Sequence, residues 1–208
     1  MKKNHLLGLV ILLACFSCTS RKEFSSISQY ANWLNDPSHG ALVEREVNDL
    51  KLTVKYLPPE YLAAKDSRGL SQSGKDSLLK SYSQSKTFLL TISPNGKAEK
   101  QGDLMFRNIN NYQQYKERSF AMNFEIGEYV NLDAGDNTYA PVLSTLENTY
   151  GLEEGRSIYL VFNDHHQGEE FDKAKELDVV FNDELFNTGL HHFVFSRKNL
   201  NDIPHLIF

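Results

Sequence analysis

The sequence predicts a mainly β fold, an antiparallel β-sandwich with two short helices, and three observations carry that expectation. Apolar side chains alternate with polar ones over at least eight short runs, the period of half-buried strands. Polar turn clusters separate those runs, which favours hairpins over the long crossovers of a parallel sheet. Hydrophobic residues make up 40% of the 208 and aromatic residues 12%, enough for one packed core. An immunoglobulin-like strand arrangement is one option within this class.

The amino terminus comes before any of this. Met1 to His5 carries two lysines, and Leu6 to Ala14 (LLGLVILLA) is an uninterrupted apolar block, the layout of a secretory signal. The block is about half the roughly 20 helical residues that cross a bilayer. Leu12-Leu13-Ala14-Cys15 resembles the lipobox of bacterial lipoproteins, whose cysteine is diacylated, exposed by cleavage and acylated again. Cys15 is the preferred lipidation site, with Leu at minus three and Ala at minus one. Cys18, which follows Ser17, is the alternative, and it is similar to the looser Ser-Cys ending of Bacteroidota lipoproteins. Several acyl chains, at about 0.8 kcal/mol per buried methylene, hold a protein on a membrane durably. Residues 1–14 are therefore read as a signal peptide, 15–29 as a polar tether and 30–208 as one β-rich domain. Neither Phe16 nor Thr19 is the aspartate of inner-membrane retention, which points to an outer membrane, with the protein facing the periplasm or the cell surface.

Composition narrows the function classes. Cys15 and Cys18 are the only cysteines, so stability must come from a core rather than from disulfides. Without Lys2 and Lys3 the chain keeps 20 basic and 27 acidic side chains, a net −7. That balance argues against nucleic acid, whose phosphates draw on clustered Lys and Arg.

Within the domain, Tyr30, Trp33 and Leu34 open the apolar pattern, with Trp33 closing one end of the core. A turn follows at Asn35 to Gly40. Val43 to Val47, a break at Asn48-Asp49, and Leu50, Leu52, Val54 and Tyr56 read as a hairpin, ended by Pro58 and Pro59. One helix is expected within 65–86, from Ser73 and Asp76 in capping-box spacing and from Leu78, Leu79 and Tyr82. Phe88, Leu90 and Ile92 form a strand. Asp103 can cap the second helix, with Met105, Ile109 and Tyr112 on one face and Phe106 and Tyr115 beside them. Further strands are read at Phe120, Met122, Phe124 and Ile126, then at 129–132, 139–146, 158–162, 177–181 and 192–195, with a last pairing segment within 203–208. Leu146 to Leu152, Phe181 to Phe186 and Leu200 to Leu206 resemble Bacteroidota lipoproteins of unknown function, a resemblance that implies a single unit and no functional residue.

Chemistry-bearing patterns are few. Ser77-x-x-Lys80 and Ser83-x-x-Lys86 match the Ser-x-x-Lys of penicillin-binding enzymes, but no Lys-Thr-Gly follows. Asp164, His166, Glu169 and His191 are the candidate metal ligands, since imidazole and carboxylate serve zinc or copper. They lack a spacing that sets two ligands on one face, so metal is not favoured and no cofactor is expected. Asp133, Asp136 and Asn137 lack the spacing of a calcium loop and read as a turn. The ten tyrosines and thirteen phenylalanines are read first as filling the core between the sheets, with use at an interface as the alternative. The expectation is a non-enzymatic, lipid-anchored envelope protein, an accessory or interaction subunit of an outer-membrane assembly. A metal- or small-ligand-binding lipoprotein is the alternative.

Overall fold

The computed structural model describes residues 22–96, 103–148, 154–164 and 169–208. In chain order the elements are β1 (Glu23–Phe24), α1 (Ile27–Leu34), β2 (Leu42–Val47), β3 (Leu50–Leu57), α2 (Pro59–Asp66), α3 (Gln72–Ser83) and β4 (Lys86–Pro94). They continue with α4 (Tyr112–Phe120), β5 (Val130–Ala134), β6 (Asn137–Tyr139), β7 (Leu143–Leu146), β8 (Arg156–Phe162), α5 (Glu169–Lys173), β9 (Glu176–Asp183), β10 (Gly189–Ser196), α6 (Arg197–Asn201) and β11 (His205–Leu206).

The fold is mainly β and sandwich-like. One antiparallel sheet has the order β2-β3-β4-β8-β7 and the other β10-β9-β5-β6. Neither follows the immunoglobulin order, in which strands A, B, E and D form one sheet and C, F and G the other. Strand β3 shows why the chain folds this way. Leu50, Leu52 and Val54 are at most 2% exposed while Lys51, Thr53 and Lys55 between them are not buried, so one face enters the core. Burying each such side chain contributes about 1.5–3 kcal/mol. Phe88, Leu90 and Ile92 of β4 and Ile158, Leu160 and Phe162 of β8 continue that face. Val130 and Leu132, Val179 and Phe181, and Phe193 and Phe195 meet it from the other sheet.

The predicted hairpin forms with Asn48 in the left-handed region at φ 55°, a conformation Asn tolerates in a two-residue turn. Pro58 and Pro59 end β3 as expected, and Pro59 also starts α2, because a proline at the first helical position loses no hydrogen bond.

Three expectations are corrected. The described residues hold six helices rather than two: the 65–86 segment contributes α3, capped by Ser71 and not Ser73, while the end of α2 overlaps its start. The second expected helix is split. Asp103 caps only a single turn at Leu104–Phe106, and α4 starts afresh behind Asn111, whose side chain accepts from Gln114 N at 3.0 Å. The expected strand through Phe120, Met122, Phe124 and Ile126 is helical, a wide π-type turn at Ala121–Glu125 running on from α4. The tether also ends sooner than residue 29, because β1 pairs in parallel with β11 and Ser26 caps α1. Cys15 and Cys18 lie outside the described residues. Among the described residues no helix is long and apolar enough to cross a membrane.

Candidate functional site

Two features stand out, one at the Lys86 end of β4 and one on α4, which is tied to the turn beyond the Pro94 end. This strand runs nine residues from Lys86 to Pro94, about 30 Å.

At its Lys86 end a polar cavity of about 260 Å³ is lined by Tyr56, Glu60, Ser83, Lys86, Asp172 and His205, among others. Lys86 is only 8% exposed, and its ammonium donates to Asp172 Oδ1 at 2.8 Å. The same oxygen takes Arg197 Nη1 at 3.3 Å, so one carboxylate balances two cations. Asp172 is held there because α5 is short and fixed at its start, where Asp164 Oδ2 accepts from Glu170 N at 2.7 Å and Phe171 N at 3.3 Å. Burial, reinforced by the Glu60 charge, pushes the Tyr56 phenol well above its ordinary value, so it is a neutral hydroxyl. Glu60 Oε1 lies 3.5 Å from His205 Nδ1 on the opposite wall.

At the Pro94 end, α4 is fastened by Arg118, whose guanidinium donates to the carbonyls of Arg107 at 2.5 Å and Leu185 at 3.4 Å. Arg156 Nη2 clamps both oxygens of Asp103 at 2.7 and 2.6 Å and holds the preceding turn. With its inner side so occupied, α4 presents aromatics to solvent. Tyr112, Lys116, Phe120 and Phe124 recur every four residues and form one stripe. Tyr112 and Phe124 are each 72% exposed, Phe106 62% and Phe120 54%. The side chains support one another: Phe106 stacks on Tyr115 at 5.0 Å, Lys116 sits over Tyr112 at 5.4 Å, and Phe120 meets Phe124 at 5.1 Å. No motif in the sequence marks this stripe.

The residues singled out from the sequence fall elsewhere. Ser83 and Lys86 do share the cavity. Ser83, however, closes α3 rather than opening a helix, and its hydroxyl donates to Leu79 O at 2.7 Å, unlike a nucleophile paired with lysine. Asp164 is the cap of α5 just described. Glu169, in the same helix, faces Lys173 at 3.7 Å. His191 is in β10, and its Nε2 lies 2.8 Å from Thr188 Oγ1, which in turn donates to buried Asp183. Arg197, which holds α5, is six residues further along, so His191 and α5 are separated by about 20 Å of extended chain. His166 lies outside the described residues. Among the described residues no three His, Cys, Asp or Glu side chains come together as a metal site. Trp33 packs against the core and stacks on His39 at 4.1 Å.

No protein-family model matches the sequence, and no curated protein is significantly similar to it. A solved structure from Burkholderia pseudomallei K96243, a protein of unknown function, aligns over 84% of this chain and 90% of its own. The two are 11% identical with a TM-score of 0.38, too distant a likeness to argue from.

Proposed function

We propose that this chain is a lipid-anchored envelope protein of an outer membrane, non-enzymatic, that acts as an interaction subunit and grips a protein partner through the aromatic stripe of α4. The observation that carries the reading is the stripe itself. Tyr112, Phe120 and Phe124, each more than half exposed, with Phe120 packed on Phe124, are a costly surface to leave in water and a preorganised one to bind with. The occupant is a protein rather than the bilayer because β1, which leads back to the lipobox, packs with α1 and β11, whereas α4 and the turn after it pack against the Leu104–Phe106 turn and β7. The Ala-Cys or Ser-Cys ending of the apolar N-terminal block supports this address.

Photo-cross-linking from position 124 in native membranes tests the reading. A discrete protein adduct, lost when Tyr112 and Phe120 are changed to Ser, is the expected result; adducts with lipid alone would overturn it. Radiolabelled palmitate, retained by the wild type and absent from a Cys15→Ala, Cys18→Ala double variant, tests the anchor.

A small-ligand-binding lipoprotein is the second reading, favoured by the cavity beside Lys86. Saturable binding of a small anion, abolished by Lys86→Met, would bring it forward.

A further inference from the structure

The described chain begins at Lys22, very near either lipidation cysteine. Four residue steps separate Lys22 from Cys18 and seven separate it from Cys15, so a fully extended connection reaches about 14 or 25 Å. Both are less than the length of β4. An anchored domain therefore cannot turn its N-terminal end away from the membrane.

That end carries an apolar surface with cations around it. Strand β1 pairs with β11, Glu23 opposite His205 and Phe24 opposite Leu206, and Ile207 N donates to Phe24 O at 2.8 Å. Beyond the pair, Ile207 is 59% exposed, Ile27 at the start of α1 40%, and Leu70 just before α3 44%. Lys22 Nζ lies 4.9 Å from the Phe24 ring centre, and Lys75 Nζ lies 5.9 Å from that of Phe208. The lysines lie along aromatic rings with their stems on apolar surface, as they do where a protein meets lipid headgroups. Glu23 on β1, Glu60 facing His205 at 3.5 Å and Asp76 beside Lys75 are the acidic groups near this surface.

We infer that this end rests on the bilayer, Ile27, Leu70 and Ile207 entering the headgroup region and Lys22 and Lys75 pairing with lipid phosphates. The inference deepens the proposed function and rests on its lipid anchor. The reach of the chain selects the bilayer as occupant over a protein partner or a second copy, since about 14 Å from Cys18, or about 25 Å from Cys15, is less than the roughly 30 Å diameter of a small domain. Two contacts then orient the sandwich upright, with the stripe of α4 turned away from the membrane.

The full acylated chain, in vesicles containing a diazirine phospholipid, tests this directly. Labelling is expected in the peptides spanning 22–28 and 203–208 at roughly tenfold or more above the α4 peptide, and Ile207→Asp with Leu70→Asp is expected to remove most of it. Both substitutions fall on exposed positions, so folding survives them. Equal labelling of α4, or none at the N-terminal face of a protein that retains palmitate, would overturn the inference and leave the anchor standing. A protein that takes no palmitate and washes off the membrane would overturn both.

Discussion

Phe88 of β4 and Phe195 of β10 meet between the two sheets, ring centroids 5.1 Å apart and planes tilted by 50°. Both are fully buried, and Phe88 also touches Tyr56 and Phe162. The pair is where the cores of the two sheets become one. Phe195→Ala leaves a cavity that neither sheet can close alone, so a loss of about 3–5 kcal/mol is expected. Urea unfolding measures it, with a single transition retained.

Gly155 admits no side chain. A Cβ there would stand 2.9 Å from both Ile92 O and Ser93 Cβ, on the backbone of β4. Gly155→Ala is therefore expected to cost about 1–3 kcal/mol by forcing the strands apart. Thermal denaturation is the check, and an unchanged melting temperature would contradict the geometry.

His191 gives the fold a dependence on mild acid. Burial, opposed by the Asp183 charge, holds its pKa below the ordinary value, so the folded state prefers the neutral ring. The stabilisation is present above the unfolded pKa of about 6.5 and is lost as pH falls through the lower folded value. Stability of the wild type should drop below pH 6.5 more steeply than that of His191→Gln, as read by urea midpoints across that range.

Tyr82 of α3 donates to Asp66 Oδ2 at the end of α2, and that bond is the main reason its phenol is pushed up to about 12. The folded state favours the protonated form. This contribution is complete below the ordinary value of 10.0 and disappears as pH rises through about 12. Ultraviolet titration should show several tyrosines ionising late, Tyr56 and Tyr82 among them, and Asp66→Asn should move Tyr82 alone back toward the ordinary value.

The aromatic stripe is expected to be thermodynamically idle in the isolated protein. Phe124→Ser removes a side chain that is 72% exposed, so stability should change by no more than about 0.5 kcal/mol. Self-association at high concentration should fall. A large loss of stability would mean that Phe124 belongs to the core.

Residues 120–126 show where the sequence could be read and where it could not. Strand β3 was legible because Leu50, Leu52 and Val54 alternate with side chains that stay outside the core. Phe120, Met122, Phe124 and Ile126 alternate too, yet Met122 and Ile126 are fully buried while Phe120 and Phe124 are exposed. An alternating set of four is also two pairs spaced by four, and α4 before it supplies the helix that settles the ambiguity. The stripe was hidden for the same reason, since a list of aromatics does not say which face they take. The cavity draws Tyr56, Lys86 and Asp172 from three distant elements, a meeting no local pattern encodes.

The pairing of β1 with β11 sets an order of events in folding as the chain is made. Phe24 is synthesised about 180 residues before Leu206, its partner, so the first strand has nothing to pair with until nearly the whole chain exists. The sandwich therefore keeps this parallel pair for last, closing it only when residues 205–206 are in place.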